Sequence, residues 1–560
     1  MKNNNSLSNT KKDIKFYKPF TRKKILHGKP YLYEITPYFD PTVGKLRQKT
    51  KYLGKAEPDE NTKKPLPKIR HLVDYGDAYL FDSLVKELTL KETLLKCFPE
   101  EQTNFILLLA GFRLLTGKSS SHLKSWLETS EMSVYYPLSF SPTSQNISKF
   151  LESLGRDEVE ALPHFFLHWT QHANKKGESI LFDLTSFSSQ AQRIEMLEKG
   201  YNQEHLLEPQ VNLGLLVNQT QRLPLYYKLY PGSIKDVTTL TNIVNELSLL
   251  QMKQINLILD RGFYSQSNIS QMLKEKLNFV IPLNMVNKSL YQSIYNKHKD
   301  ELEQKKNLYL IQEKPIYCVT GTLIYPSKPS TLTAVTTNNN NNISSNQNSI
   351  YYAIYLDKEK GQKEQTAFLT ELLFMEQALN NINWSRWTDE KERDWHLKDK
   401  AGAWKKYFNL VKNNENNSFI ITKNEVAINE ATIYMGTTIL FSSCEIDPIK
   451  LLPLYRERDT VEKMFDSCKN ELAGLPLRVH KNNTMQGLFF ILFISLIVQF
   501  YLLDKMKKGK LDPKFTISDI FFELHKLKKA TWFGKNVMIN EITKTQEMIL
   551  KQLNILVPNF

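Results

Sequence analysis

The sequence predicts an α/β protein whose central part alternates strands and helices. Short apolar runs bounded by polar turns indicate strands, and longer amphipathic stretches indicate helices. The predicted elements of residues 176–284 are strands at 180–188, 211–218, 222–230, 255–260 and 278–283, with helices at 237–250 and 265–276. Three strands, a helix, a strand, a helix and a strand is the order of a ribonuclease H-like core. In that core the first and fourth strands lie side by side.

Two of these strands lead into an aspartate. Asp183 follows the apolar run of the first strand, in FDLTS, and Asp260 ends the fourth, in LDRGFYS. Taken singly, such an aspartate also serves as a turn former or as the N-cap of the next helix. Because the two strands are predicted neighbours, both carboxylates are expected at the same edge of the sheet.

A predicted helix around residues 454–472 carries a polar stripe beside an apolar face. The members of the stripe are Tyr455, Arg458, Glu462 and Lys469. At about 100° per residue they project within a sector of roughly 60°. Each of them alone is also what an exposed amphipathic helix carries. Together with the two strand aspartates, however, Glu462 supplies a third acid.

These three blocks together resemble the acidic-triad (DDE) transposases of bacterial insertion sequences, of the insertion-sequence-four type with its Tyr-Arg-Glu-Lys motif. The likeness covers about residues 180–500. The resemblance implies that Asp183, Asp260 and Glu462 are the catalytic acids and the metal ligands.

The resemblance also implies that cations in the same blocks hold DNA. Tyr455, Arg458 and Lys469 are expected at the phosphates of the element's end, where bidentate arginine contacts suit phosphate oxygens. Arg261, which follows Asp260, is included in the predicted DNA-binding set. Tyr455 suits stacking on a base as well as donation to a phosphate, and the sequence leaves the two open.

The chemistry of DNA cleavage gives an independent reason for three acids. A phosphodiester is attacked first by water and later by a 3′-hydroxyl, and the leaving oxyanion needs stabilisation. Two divalent cations about 3.5 to 4 Å apart serve both steps, and Mg²⁺ prefers carboxylate, phosphate and water oxygens. We therefore expect two Mg²⁺ ions, for which Mn²⁺ can substitute.

The charge of the chain favours a nucleic-acid partner. Its formal net charge is +15, and residues 1–70 contain 18 Lys and Arg against 6 Asp and Glu, which gives +12 there. Phosphate neutralisation drives much of DNA affinity. Within this arm, YLYEITPYF and KLRQKTKYL flank the turn DPTVG and predict a basic β-hairpin. A solvated charged tail is the alternative for this arm. The second basic stretch, 525–535, is compatible with contact to backbone phosphate and equally with a solvated surface.

The remaining chain is divided by pattern into further regions. Residues 71–175 are predicted to be helical, as a helix-turn-helix DNA reader or as a spacer. The resemblance implies a mostly β insertion domain that helps to clamp the element's end. Asn-rich residues 338–349 are predicted to be a loop tip. The predicted regions are 1–70 (basic arm), 71–175 (helical, DNA-binding), 176–284 (first part of the core), 285–450 (insertion), 451–510 (second part of the core with the catalytic helix) and 511–560 (basic and helical).

The apolar run 487–503 is predicted to be a buried core helix, because it is shorter than the roughly 20 residues of a membrane span. The four cysteines show no paired spacing, so neither disulfides nor a zinc cluster is indicated. Three histidines, His164, His168 and His172, share one helical face. The packing of an amphipathic helix explains this spacing better than a zinc site does. With no secretory signal at the start, the cytoplasm and its nucleoid are the expected location.

The sequence therefore predicts a DNA transposase that cleaves at the ends of its element and transfers the strand into target DNA. The resemblance implies two protomers in a synaptic complex, because two ends must be joined. A hairpin intermediate at the donor end is left open. Two alternatives are a catalytically silent DNA-binding protein from a decayed element and a structure-selective nuclease on the same core.

Overall fold

The computed structural model describes residues 18–27, 29–56, 69–156, 161–174, 178–201, 207–234, 236–252, 255–285, 288–325, 349–413, 418–532 and 537–558. The Asn-rich stretch predicted to be a loop tip lies outside these residues, apart from its last position. The chain divides into two compact units. One comprises residues 1–71 and 531–536, and the other comprises residues 72–530 and 537–560.

The first unit contains a three-stranded antiparallel sheet. Its strands are β1 (Phe20–Leu26), β2 (Lys29–Asp40) and β3 (Lys45–Lys55), with β2 in the centre. The turn between β2 and β3 is closed by Asp40, whose side chain accepts from the Thr42 N–H and whose carbonyl accepts from Gly44. Gly44 has φ +65, which a residue without Cβ adopts at little cost. The predicted hairpin is present, and β1 adds a strand that was not predicted.

The second unit begins with helices, as predicted for residues 71–175. After β4 (Ile69–Asp74), which includes the boundary between the units at residue 72, the elements are α1 (Gly76–Glu87), α2 (Leu90–Leu95), α3 (Glu100–Thr116), α4 (Leu123–Leu127), α5 (Met132–Tyr135), α6 (Ser144–Arg156) and α7 (Ala161–Ala173). Their buried faces are strongly apolar; α3, for example, buries Phe105 to Ala110 without interruption. A helix buried on all sides in this way lies in the core of a large domain.

Next comes the predicted core. Its elements are β5 (Ser179–Ser188), β6 (Glu198–Tyr201), β7 (Leu207–Asn218), β8 (Pro224–Pro231), α8 (Asp236–Leu249), β9 (Asn256–Leu259), α9 (Gln266–Lys274) and β10 (Asn278–Pro282). β5 pairs antiparallel with β7 and parallel with β9. The prediction that the first and fourth strands are neighbours is therefore confirmed. The short strand β6 was not predicted.

The third segment corrects the predicted insertion. Its elements are α10 (Lys288–Leu302), β11 (Leu308–Ile311), β12 (Lys314–Ile324), β13 (Ser349–Leu356), α11 (Lys358–Asn380), α12 (Glu390–Ala401), β14 (Phe408–Asn413), β15 (Ser418–Lys423), α13 (Glu425–Thr432) and β16 (Thr437–Ser442). Strands β11, β12, β13 and β16 do not form a separate β domain. They extend the central sheet, which over the described residues has the order β11-β12-β13-β16-β10-β9-β5-β7-β6, with β8 also on β7.

The prediction of a separate β domain is wrong because the pairing of these strands is long-range. The apolar strands were recognised locally, but the antiparallel pairing of β16 with β10 covers an edge that would otherwise expose unpaired backbone groups. The described residues between β13 and β16 are mostly helical, and their strands form the hairpin β14–β15. This segment has a small apolar core of its own, which includes Leu372, Trp384 and Trp387.

The last segment contains α14 (Pro448–Arg456), α15 (Asp459–Asp466), a π-helical turn at Ser467–Glu471, α16 (Asn482–Lys508), α17 (Ile517–His525), β17 (Lys528–Trp532), β18 (Val537–Ile539) and α18 (Lys544–Gln552). β17 pairs with β4 and β18 in a small sheet, so residues 511–560 are not purely helical as predicted. α16 is long and apolar enough to cross a membrane by length and composition, but 83% of its most apolar window is buried inside the protein. It packs on α3 and α6, as expected of a core helix.

Candidate active site

The two aspartates lie on neighbouring parallel strands. Asp183 is in the middle of β5, and Asp260 directly follows β9. The register pairs Phe182 with Leu259, so the next position of each strand is an aspartate. The sheet therefore places Asp183 and Asp260 side by side, at the edge where the sequence predicted them.

All three predicted acids converge on the guanidinium of Arg458. Its Nη1 lies 2.9 Å from Asp183 Oδ2 and 3.6 Å from Asp260 Oδ1. Its Nη2 lies 2.8 Å from Glu462 Oε1. A single side chain thus joins the two strand aspartates to the third acid, which comes from α15.

The exposure of the acids decreases from Glu462 to Asp183. The Glu462 side chain is 53% exposed, that of Asp260 26% and that of Asp183 13%. Burial raises the pKa of Asp183 to about 7, against the opposing effect of Arg458 and with a further rise from the Asp260 charge. The Leu184 N–H also donates to Asp183 Oδ1 at 2.8 Å and favours the charged form. Asp183 therefore depends on a nearby cation to stay ionised.

Arg458 is held in its charged form by the acids. Burial alone would lower its pKa, but the carboxylates of Asp260 and Asp183 outweigh burial and raise it. Its guanidinium carbon also lies 5.9 Å from the centre of the Tyr455 ring. The group predicted to hold DNA phosphate thus neutralises the acids in this structure.

Tyr455 joins the same cluster from α14. Its hydroxyl donates to Asp260 Oδ1 at 3.4 Å. Burial and the Asp260 charge raise the pKa of Tyr455 to about 12, while Arg458 and Arg261 act in the opposite direction. Arg261, in the single helical turn after β9, is exposed and close enough to Tyr455 to influence its charge. Both predicted DNA-binding residues therefore lie at the rim of the acid cluster.

Lys469, from the π-helical turn, contacts β5 two residues beyond Asp183. Its Nζ donates to Thr185 Oγ1 at 2.7 Å and sits 5.5 Å from the centre of the Phe187 ring. Thr185 points to the same side of β5 as Asp183, because successive side chains of a strand alternate between its faces. Thr185 was not predicted as a site residue, although the hydroxyls of FDLTS were visible in the sequence.

The prediction of one continuous helix for the polar stripe is wrong. α14 contains Pro453 and ends at Arg456, and a tight turn follows in which Arg458 N–H donates to the Tyr455 carbonyl. Proline removes a helix hydrogen bond and disturbs the preceding turn. After α15 the chain widens into the π-helical turn that carries Lys469, a feature often found at functional sites. The four side chains still gather at one edge of the sheet, through the contacts of Tyr455 and Arg458 with the strand aspartates, of Glu462 with Arg458 and of Lys469 with Thr185.

Two further ion pairs fix the tight turn. Arg222, just before β8, lies 3.1 Å from Glu457. Arg456 lies 3.3 Å from Asp357, at the start of α11. Sequence reasoning missed both pairs because their partners are far apart in the chain. They hold the two residues that precede Arg458, while its own side chain faces the acids.

The donor set fits hard divalent cations. Asp183, Asp260 and Glu462 offer only oxygen, which Mg²⁺ and Mn²⁺ prefer. Nowhere in the described ranges do three His, Cys, Asp or Glu side chains form a ready-made metal cluster, His164, His168 and His172 included. In the acid cluster, Arg458 lies where the carboxylates converge. We expect any cation bound by these acids to take over the charge compensation that Arg458 supplies.

Comparisons with known proteins support the same region. A family model described as the transposase DDE domain matches residues 174–498, which is more than half of the chain and includes all three acids. No curated protein sequence matches the chain. A solved structure of a piggyBac transposase synaptic complex with hairpin DNA aligns over 80% of this chain and 78% of its own, at 10% identity and a TM-score of 0.35. By the family match, the chain belongs to the transposase DDE domain family.

Proposed function

We propose that the protein is a DNA transposase of the insertion-sequence-four type, acting at the ends of its own element and on target DNA. The observation that carries the proposal is the convergence of Asp183, Asp260 and Glu462 on one cation. Three carboxylates from three distant segments are what a site for divalent cations requires. An ordinary surface network has no need to bury one of them.

We assign different roles to the three acids according to their positions. Asp183 and Asp260 form the fixed base of the site, because both stand on the central sheet. Glu462, which is half-exposed, faces the side from which DNA approaches. Two bound Mg²⁺ ions, or Mn²⁺ in their place, would activate the attacking oxygen and stabilise the leaving one.

The cations orient the substrate. Tyr455, Arg261 and Lys469 lie around the acids and suit the phosphates on either side of the scissile bond. Arg458, which pairs with the acids here, would be free to bind phosphate if a divalent cation neutralised them. Water then breaks the bond at the element's end and leaves a 3′-hydroxyl, and that hydroxyl attacks a phosphodiester of the target. Since two ends are joined to one target, we propose a homodimer as the working form.

A strand-transfer assay with the element's own terminal repeats tests the proposal. The intact chain with Mg²⁺ is expected to give joined product, and Glu462→Gln none. Asp459→Asn is the matched control, since it removes one exposed negative charge from the same helix, and it should retain activity. Cutting without joining would favour the nuclease, and DNA binding without cutting would favour the silent protein.

A further inference from the structure

A cavity of about 480 Å³ lies between the helical region and the loop that follows the catalytic segment. Its walls are the end of α3, the turn after it, the start of α6, residues 473–481 and the start of α16. Five serines contribute to the lining: Ser119, Ser120, Ser121, Ser144 and Ser148. Among the described residues that line it, none is Asp or Glu. Its polar lining side chains are therefore mostly hydroxyls and cations, and they lie beside apolar side chains such as Ile147 and Val479.

Arg113 brings a buried positive charge to this cavity. The residue is 5% exposed, and over the described part of the chain no carboxylate pairs with its guanidinium. Nη1 donates to the carbonyls of Leu472 and Ala473 at 2.8 and 3.1 Å, while Nε has no hydrogen-bond partner there. Burial lowers the pKa of Arg113 to about 10. Buried charges are normally paired, so a guanidinium left without an anion beside a cavity indicates that the anion comes from outside.

Ser120 provides a second, independent indication. The residue is 9% exposed, and its hydroxyl has no hydrogen-bond partner among the described residues. An unsatisfied buried hydroxyl destabilises a folded protein by roughly 1 to 3 kcal/mol. Such a group is retained without penalty when a ligand satisfies it.

Exposed cations surround the mouth of the cavity. Arg478 donates to Ser119 Oγ at 3.4 Å, and Lys481 pairs with Glu152 at 2.9 Å. The floor is apolar and includes Leu151 and Leu488. Guanidinium and serine hydroxyl groups together match the oxygens of a phosphate.

The cavity adjoins the acid cluster through the chain. Arg113 holds the carbonyls of Leu472 and Ala473, which directly follow the π-helical turn with Lys469. A Cβ on the next residue, Gly474, would lie 3.3 Å from the Phe187 ring over which Lys469 sits. A DNA strand that passes from the acids along Lys469 is therefore led toward this loop.

We propose that this cavity is a second anion site, which takes a phosphate group of the DNA backbone away from the scissile bond. The DNA source of the phosphate rests on the proposed function, whereas the anion site itself rests on Arg113, Ser120 and the absence of lining acids in the described residues. One phosphate held here fixes the direction of the strand relative to the acids.

The first experiment titrates the full chain with inorganic phosphate and follows its melting temperature, with sodium chloride at equal ionic strength as reference. Wild type should be stabilised by phosphate beyond the chloride effect. Ser120→Ala should melt at the same or a higher temperature without ligand, because it removes an unsatisfied hydroxyl, and should bind phosphate roughly 10-fold more weakly. Arg478→Gln should weaken phosphate binding to a similar extent.

Lys118→Gln is the matched control, because it removes one exposed cation next to the serine turn without lining the cavity. It should bind phosphate like wild type. Equal phosphate stabilisation of wild type and Ser120→Ala would overturn the anion site. A Ser120→Ala protein that is less stable without ligand and binds phosphate normally would show a packing role instead.

The second experiment asks whether the phosphate belongs to DNA. Single phosphates of a terminal-repeat duplex are replaced by uncharged methylphosphonates, and binding is measured for each position. One position should weaken binding to wild type and to Lys118→Gln, but not to Arg478→Gln. If phosphate binds and no such position exists, the site serves a free anion and the DNA assignment is wrong. Failure of the proposed function would appear separately, as strand transfer that is unaffected by Glu462→Gln.

Discussion

Arg458 carries one positive charge among three carboxylates, so its guanidinium decides how those acids coexist. Asp183 is nearly buried, and its neighbour Asp260 carries the same charge. Removing one partner of a buried ion pair leaves an uncompensated charge, which costs more than the pair itself contributes. The acid cluster without a divalent cation therefore depends on this one side chain.

Arg458→Gln is accordingly expected to lower the free energy of unfolding by about 3 kcal/mol at pH 8 without divalent ions. Millimolar Mg²⁺ should restore much of this loss, because it neutralises the same carboxylates. Urea denaturation with and without MgCl₂ measures both effects. Arg222→Gln is the control: its pair with Glu457 is about one-third exposed, and its loss should cost less than about 1 kcal/mol with no Mg²⁺ dependence. An Arg458→Gln protein as stable as wild type without Mg²⁺ would contradict this account.

Asp183→Asn and Asp260→Asn are expected to abolish end cleavage, with a fall of at least about 100-fold, while binding of the ends is largely kept. The reason is that the acids would hold cations, whereas Arg261, Lys469 and the basic arm would hold DNA. Parallel cleavage and gel-shift measurements on the same DNA separate the two. Equal loss of cleavage and binding in a folded variant would count against this division.

At the residue scale the sequence predicted which side chains gather but not what they do to one another. The spacing of Tyr455, Arg458, Glu462 and Lys469 placed them at one edge of the sheet. It did not predict that Arg458 turns inward to the acids, because a long flexible side chain takes its direction from tertiary neighbours. The contact between Lys469 and Thr185 was missed for the same reason.

At the scale of elements, the breaks between α14, α15 and the π-helical turn shape the site as much as the helices do. Pro453 is visible in the sequence and predicts that the helix is interrupted near α14. No residue type predicts the π-helical turn in the same way. The strands of the core were predicted within a few residues, because alternation and turn residues are local signals. Pairing of β16 with β10 joins segments far apart, so no window of sequence could reveal it.

α17 and α1 are joined by a titratable contact. His525 Nδ1 lies 2.9 Å from Asp77 Oδ2, and Nε2 lies 3.7 Å from Asp74 Oδ2. The hydrogen bond to Asp77 raises the pKa of His525, with further help from both aspartate charges and against burial. A histidine with a raised pKa stabilises the fold fully below its unfolded pKa of about 6.5. That contribution is lost as the pH rises through the folded pKa.

The melting temperature of wild type should therefore fall more between pH 6 and pH 9 than that of His525→Gln. Differential scanning calorimetry across this range provides the measurement. His122→Gln, a change at an exposed histidine of the same helical region, should reproduce the wild-type pH dependence. Parallel curves for wild type and His525→Gln would show that the contact does not titrate in this range.

At the scale of the whole molecule, the central sheet carries the site, and a mostly helical segment is inserted between two of its strands, β13 and β16. Leu356 at the end of β13 is paired directly with Thr437 at the start of β16. Everything between them is thus, by its connection, the loop of a β-hairpin. This segment has its own apolar core, separate from the main one.

We expect that replacing residues 357–436 by Asn-Gly, which favours a two-residue hairpin turn, leaves a folded protein. The loss of Tyr434 from its contacts with Tyr291 and Tyr295, together with that of Asp357 from its pair with Arg456, should cost about 2 to 3 kcal/mol. Thermal melting measures stability, and a gel shift tests whether the segment helps to clamp the element's end. Extending the deletion through β13 is the control, and it should prevent folding because β12 and β16 would lose the strand between them. A failure of the shorter deletion to fold would show that the segment is integral to the sheet.

The direct pairing of Leu356 with Thr437 also bears on how such proteins diverge. Growth or shrinkage at this hairpin changes the number of residues between Asp260 and Glu462 and leaves both carboxylates in place. The number of residues between the second and third acids is therefore a poor measure of evolutionary relatedness. We therefore expect chains of very different length to share the same arrangement of acids, and relatives are better sought by the strands that carry Asp183 and Asp260.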